Sequence, residues 1–114
     1  MGGNDYFLWE KVCRIALRFP GTVEKIAYGT PALYVEKKLF ARLKEDRETL
    51  ALYNDERNEW IARNADTFFI TAHYKNYPMM LIDLKAASPE DLETLLQHSW
   101  KMRASKKLLN NKGN

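Results

Sequence analysis

The sequence predicts an α+β domain: an antiparallel sheet with two main helices packed on one face. Three observations lead there. Apolar residues recur at helical spacing near both ends of the chain, period-two alternation runs through consecutive short segments between them, and only one set of alternating residues is clearly apolar. Each long helix has one apolar stripe and the sheet one apolar face, so the economical packing sets both helices against that face and leaves the other at least partly open.

In order, Asn4 or Asp5 caps a first helix running to about Phe19. Leu8, Trp9, Val12, Cys13, Ile15, Ala16 and Phe19 form its stripe, and Pro20-Gly21 ends it. Glu24–Tyr28 is a weak strand. Ala32–Glu36 sets Leu33 and Val35 inward against Ala32 and Tyr34. Lys38–Lys44 sets Leu39, Ala41 and Leu43 inward against Lys38, Phe40, Arg42 and Lys44. Tyr34 and Phe40 are therefore expected to face away from the helices, covered by a partner or a neighbouring loop. Thr49–Tyr53 continues the sheet with Leu50 and Leu52 inward. Asn54 or Asp55 caps a short helix to about Asn64 with Trp60 and Ile61 turned inward, and Phe68–Thr71 and Met79–Leu84 read as two more strands. Ser88-Pro89-Glu90-Asp91 is a strong helix start, with a capping hydroxyl and proline at the first helical position. Leu92, Leu95, Leu96, Ser99, Trp100 and Arg103 follow on one face, and the helix fades near Ser105 into a loose tail.

The 114 residues fit one domain, and a chain of that size buries roughly two-thirds of its unfolded surface. Cys13 is the single cysteine, which excludes an internal disulfide. No signal-peptide pattern and no long apolar run is present, so a cytoplasmic, monomeric protein without membrane attachment is expected. Charge is uneven: residues 1–97 carry 13 Lys and Arg against 15 acids, and residues 98–114 carry five bases and no acid. That basic tail suits a helix C-terminus and, less directly, nucleic acid.

Little in the sequence suggests catalysis. His73 and His98 are the only histidines, and neither sits in a nucleophile–base pattern. Cys13 lies in an apolar stripe, where burial keeps a thiol inert. Metal-ligand spacings and glycine-rich phosphate loops are lacking, so no metal and no cofactor is expected. What remains is surface. Lys37 and Lys38 occupy a hairpin tip, with Arg42 along the outward face beside Tyr34 and Phe40: cations to meet phosphates, rings to support or stack. Lysines at a tip also discourage sheet-to-sheet pairing, and rings in such rows also serve as cross-strand partners or pack under a loop. The turn at 44–48 is acidic on balance, with Lys44 and Arg47 against Glu45, Asp46 and Glu48. The loop "HYKNYP" places His73, Tyr74 and Tyr77 around Lys75; with Tyr28 these rings outline an alternative pocket for a protein or small ligand.

The ordered words "FPG", "AYGTPALYVEKKLFARL", "NDERNEWIAR", "FFITAHYKNYPMMLIDL" and "SPEDLETLLQHSWKMRASKKLL" together resemble the MmcQ/YjbR-like family of small bacterial proteins, from about Trp9 to Leu109. The resemblance implies a frataxin-like (CyaY-like) fold, a single domain over residues 1–109 with a disordered tail at 110–114, and a DNA-binding role through two wing-like hairpins. One wing would be the hairpin at Lys37 and Lys38; the other, the turn at Arg47 or the loop at Lys75. Iron handling, which the same fold raises, would need an acidic ridge, whereas the first helix offers Asp5 and Glu10 against Lys11, Arg14 and Arg18. The leading expectation is a non-catalytic module with weak electrostatic affinity for nucleic acid through Lys37, Lys38, Arg42, Lys75, Lys106 and Lys107.

Overall fold

The computed structural model describes residues 6–111. Six strands, β1 (Thr22–Ala27), β2 (Thr30–Val35), β3 (Lys38–Leu43), β4 (Thr49–Tyr53), β5 (Phe68–Phe69) and β6 (Met79–Asp83), form one antiparallel sheet in the order β1-β2-β3-β4-β6-β5. The helices are α1 (Phe7–Ala16), α2 (Arg57–Arg63), α3 (Pro89–Arg103) and α4 (Lys106–Asn111). The capping residues expected for α1, Asn4 and Asp5, lie outside the described residues. No helix among the described residues is long and apolar enough to cross a membrane.

α1 and α3 pack together against one face of the sheet. Leu8, Trp9 and Val12 of α1 and Leu92, Leu95, Leu96 and Trp100 of α3 meet Leu33, Leu43, Leu50, Leu52 and Ile82 of the sheet. Local signals place α3 as expected: Ser88 Oγ accepts the Asp91 amide at 3.1 Å, and Pro89 occupies the first turn. Trp100 is fully buried, and its indole nitrogen donates to the Pro20 carbonyl at 2.9 Å. That bond ties the end of α3 to the turn after α1.

Alternation fails at one place, the middle of β3. The pairing Leu33↔Ala41 is followed by Tyr34↔Leu39, so Phe40 is an extra residue, a β-bulge. Phe40 and Ala41 both enter the main core, fully buried, whereas Leu39 emerges half-buried on the helix-free face. The expected orientations of Leu39 and Phe40 are thus exchanged, and Phe40 is not an outward aromatic. The physical reason lies in α3. Ser99 Oγ donates to the Phe40 carbonyl at 2.9 Å and Arg103 Nε to the Leu39 carbonyl at 3.1 Å. The helix supplies the donors that the interrupted strand ladder cannot, which satisfies carbonyls that would be costly to bury bare.

The chain beyond Ser105, expected to be loose, continues as α4 to Asn111, with Leu108 and Leu109 packed against the main core. Residues 112–114 of the expected disordered tail lie outside the described residues. α4 packs tightly on Gly21: a Cβ there would lie 3.2 Å from Leu108 Cδ2, and its φ of +74° favours glycine independently.

Candidate functional site

Both hairpins at the β1–β2 side of the sheet use two-residue turns with positive φ at both central positions: Tyr28-Gly29 (56° and 84°) and Glu36-Lys37 (50° and 71°). Such turns favour Asn-Gly, and a non-glycine residue in the left-handed region costs roughly 1–2 kcal/mol. At the second turn the strained residue makes a clasp. The Glu36 carboxylate accepts the Ser105 amide at 2.6 Å and the Ser105 hydroxyl at 2.8 Å, while that hydroxyl accepts the Leu108 amide at 3.1 Å. Hydrogen bonds from Ser105, with the nearby charges of Lys38 and Lys107, hold the Glu36 carboxyl below its ordinary range.

The clasp gathers four exposed lysines at one corner, Lys37 and Lys38 from the hairpin and Lys106 and Lys107 from α4. The expected Lys75 sits elsewhere on the same end of the sheet. β6 begins beside the end of β4, as the pair Tyr53↔Met79 shows, and β3 begins at that end too. Two strand spacings, about 10 Å, separate the starts of β3 and β6. The Lys75 loop contains a 3-10 turn at Ala72–Tyr74 and is held by one side chain. Arg57 donates through Nη1 to the carbonyls of Tyr74 (2.9 Å), Tyr77 (2.6 Å) and Met79 (2.8 Å), and through Nη2 to that of Lys75 (2.7 Å).

Arg42 does not join this basic end. It lies on the helix-free face in the cross-strand row Lys25, Ala32, Arg42, Ala51, Leu81 and Phe69. Its side chain is 11% exposed and its Nη2 donates to Glu45 Oε2 at 2.8 Å, so it is not a surface phosphate contact. The reason is cover: Ala51, Met79 and Leu81 form a second small core on this face, packed by Tyr53, Phe69 and Tyr74. Tyr34 does face this side, half-buried, with the Lys25 ammonium 5.7 Å from its ring centroid.

The turn between β3 and β4 lies at the opposite end of the sheet from Lys37 and Lys38. Burial of Asp46 opposes its ionisation, but hydrogen bonds from the Glu48 and Thr49 amides and the Thr49 hydroxyl prevail and lower its pKa. The Arg47 guanidinium stands 4.8 Å from the Tyr6 ring centroid. Of the two alternatives for a second wing, only the Lys75 loop shares an end with the first.

Of the alternative pocket, Tyr28, His73 and Tyr74 line one cavity together with Arg42 and Lys44, whereas Tyr77 lines a different one beside Arg57 and Lys75. His73 packs edge-on to Tyr74, centroids 4.8 Å apart. Sequence reasoning missed one meeting of polar groups: ligand-type atoms of Asp55, Glu56 and His98 lie within 4.8 Å of one another on the surface. His98 Nε2 is 2.7 Å from Asp55 Oδ1, and this hydrogen bond lowers the Asp55 pKa. Cys13 is half-buried; burial, then the Glu24 carboxylate, pushes its thiol up to about 12.

An antiparallel sheet with its long helices on one face, a basic corner at one end and a lined cavity on the free face defines an α+β domain whose exposed features are suited to contact. The chain belongs to the YjbR family, whose model matches residues 17–102. Uncharacterised proteins of Mycobacterium bovis and Mycobacterium tuberculosis are 29% identical to it over alignments covering 89% of this chain and 92% of each relative. A crystal structure of a Deinococcus radiodurans protein with a DUF419 domain superposes with a TM-score of 0.72 at 18% identity, covering 92% of this chain and 87% of that one. At that identity the likeness shows the fold.

Proposed function

We propose that the chain is a non-catalytic binding module that holds duplex DNA weakly through its lysine corner. The observation that carries this reading is the Glu36–Ser105 clasp, which joins a hairpin tip and a terminal helix 69 residues apart in sequence. Strain in a turn is kept where the surrounding structure over-determines it, and such places are often functional. Here the product is a corner with four exposed lysines in the segments that flank one carboxylate, and the charges of Lys38 and Lys107 act on it. Lys75 extends the positive end across the sheet. Arg42, first expected among the phosphate contacts, is withdrawn from that set by its burial. Arg103, near the end of α3, does not add to the set, since its Nε is bonded to the Leu39 carbonyl and its guanidinium lies 4.1 Å from the Tyr53 centroid.

Fluorescence-anisotropy titration of the full chain with a labelled duplex across salt tests the proposal. Neutralising four phosphates gives a slope of log affinity against log salt of about −3.6, and each lysine removed lowers its magnitude by about 0.9. Replacing Lys37, Lys38, Lys106 and Lys107 with Gln is therefore expected to flatten the salt dependence. A flat slope for the unaltered chain, or an unchanged slope in the four-lysine variant, refutes the reading.

A further inference from the structure

We infer that the cavity on the helix-free face is a binding site for a small carboxylate with a flat apolar body, read by Arg42. The cavity measures 470 Å³, within the usual range for small-molecule sites. Its floor is sheet and its walls are rings: Tyr28 on the β1–β2 turn, and His73 and Tyr74 on the 3-10 turn. Leu39, delivered to this face by the bulge, and Ala51 add apolar surface. Two cations stand in it. Lys44 Nζ is positioned by the Tyr74 hydroxyl at 3.1 Å. Arg42 is the notable one: its Nε and Nη1 are buried and have no hydrogen-bond partner.

A guanidinium buried with two of its three nitrogens unanswered is a standing penalty, because a charged donor taken from water needs an acceptor in return. Glu45 answers only Nη2, and lies 3.9 Å from the Lys44 ammonium. With Arg42, Lys44 and Glu45 counted together, the site keeps one net positive charge. These two nitrogens are closed off in the resting structure, so a neighbouring group such as the overlying Tyr28 ring must shift before a ligand carboxylate supplies the missing acceptors; paired guanidinium–carboxylate bonds are among the stronger hydrogen bonds available. Three rings, Tyr28, His73 and Tyr74, together with Leu39, Ala51 and Met79, make up the rest of the lining, so most of its surface is apolar or aromatic. These walls favour a flat body between rings.

Tyr28 is a second, independent pointer. Its ring lies over the Arg42 guanidinium, 5.3 Å from centroid to carbon, yet the residue is 83% exposed. It also sits at a φ of 56°. An exposed ring held in a strained conformation beside an unsatisfied cation is placed to close over something.

The test uses the full chain and benzoate as the probe, with benzamide as its uncharged counterpart and inorganic phosphate as an anion without the flat body. Amide shifts in two-dimensional NMR are expected to concentrate on Arg42, Lys44, Ala51 and Tyr74 as benzoate is added, with benzamide and phosphate each at least tenfold weaker. Arg42→Gln should weaken benzoate at least tenfold. Tyr28→Gly, which suits the positive φ and so spares the fold, should weaken it several-fold. Phosphate binding as tightly as benzoate assigns the site to bare anions and overturns the proposal. Absence of saturable benzoate shifts, shifts centred on the lysine corner, or undiminished binding in Arg42→Gln also overturns it.

Discussion

Truncating Phe40 and Leu39 separately tests the bulge, because plain alternation and the observed register rank the two variants in opposite orders. Phe40 is fully buried in the main core, and a buried Phe→Ala change costs about 3–5 kcal/mol. Leu39 is half-buried on the other face, so its truncation forfeits about half of a leucine's transfer energy, roughly 1 kcal/mol. Against a domain stability of about 5–15 kcal/mol, the first change is a large fraction and the second is not. Urea unfolding read by tryptophan fluorescence separates them. With a denaturant slope of roughly 1.5 kcal/mol per molar, Phe40→Ala lowers the midpoint by about 2–3 M and Leu39→Ala by under about 1 M. The slope itself should stay constant, so that the midpoints report stability. A larger loss for Leu39→Ala than for Phe40→Ala refutes the register and the exchange of faces built on it.

Three further outcomes follow from named contacts. Ser99→Ala strands the buried Phe40 carbonyl and should cost about 1–3 kcal/mol by the same urea assay, and a neutral result would show that α3 does not support the bulge. The Ser105 amide should titrate with Glu36: a folded pKa below the unfolded one means the clasp stabilises the fold above about pH 4.3 and weakens as pH falls through the folded value. NMR of that amide showing a midpoint at or above about 4.3 contradicts it. Cys13, with its thiol near 12, should react with a disulfide reagent at pH 8 about a thousandfold more slowly than in the urea-unfolded chain, and a difference under tenfold counts against the burial described.

Features written in neighbouring residues were legible in the sequence. Ser88-Pro89 announces α3 within one turn, and the extents of β2, β3 and β4 follow from alternation to within a residue or two. The bulge was not legible, because its donors sit 59 and 64 residues away on α3. Within Lys38–Leu43 nothing local favours Phe40 over Leu39 as the buried residue. α4 was missed for a related reason: six residues with two adjacent lysines carry weak helical signal, and Glu36 and Gly21 fix its position from a distance. In the candidate site the lysines and most of the rings could be named in advance. Alternation assigned Arg42 to the correct face, but period two says nothing about what covers that face, and so it could not show the guanidinium enclosed.

The four carbonyls gathered by Arg57 have a consequence for how the segment between β5 and β6 comes loose. A segment tied at several independent points frays by degrees, one tether after another. Here four of the tethers end on the same guanidinium, so departure of that one side chain releases the carbonyls of Tyr74, Lys75, Tyr77 and Met79 in a single event, while the Lys44–Tyr74 bond and the pairing of Met79 with Tyr53 remain. A lysine in its place, with a compact ammonium rather than a planar fork, cannot reproduce the set. The exposed part of the loop, Lys75 to Tyr77, therefore loosens together when Arg57 leaves, and its amide protons should exchange with solvent at similar rates, ahead of those of β6.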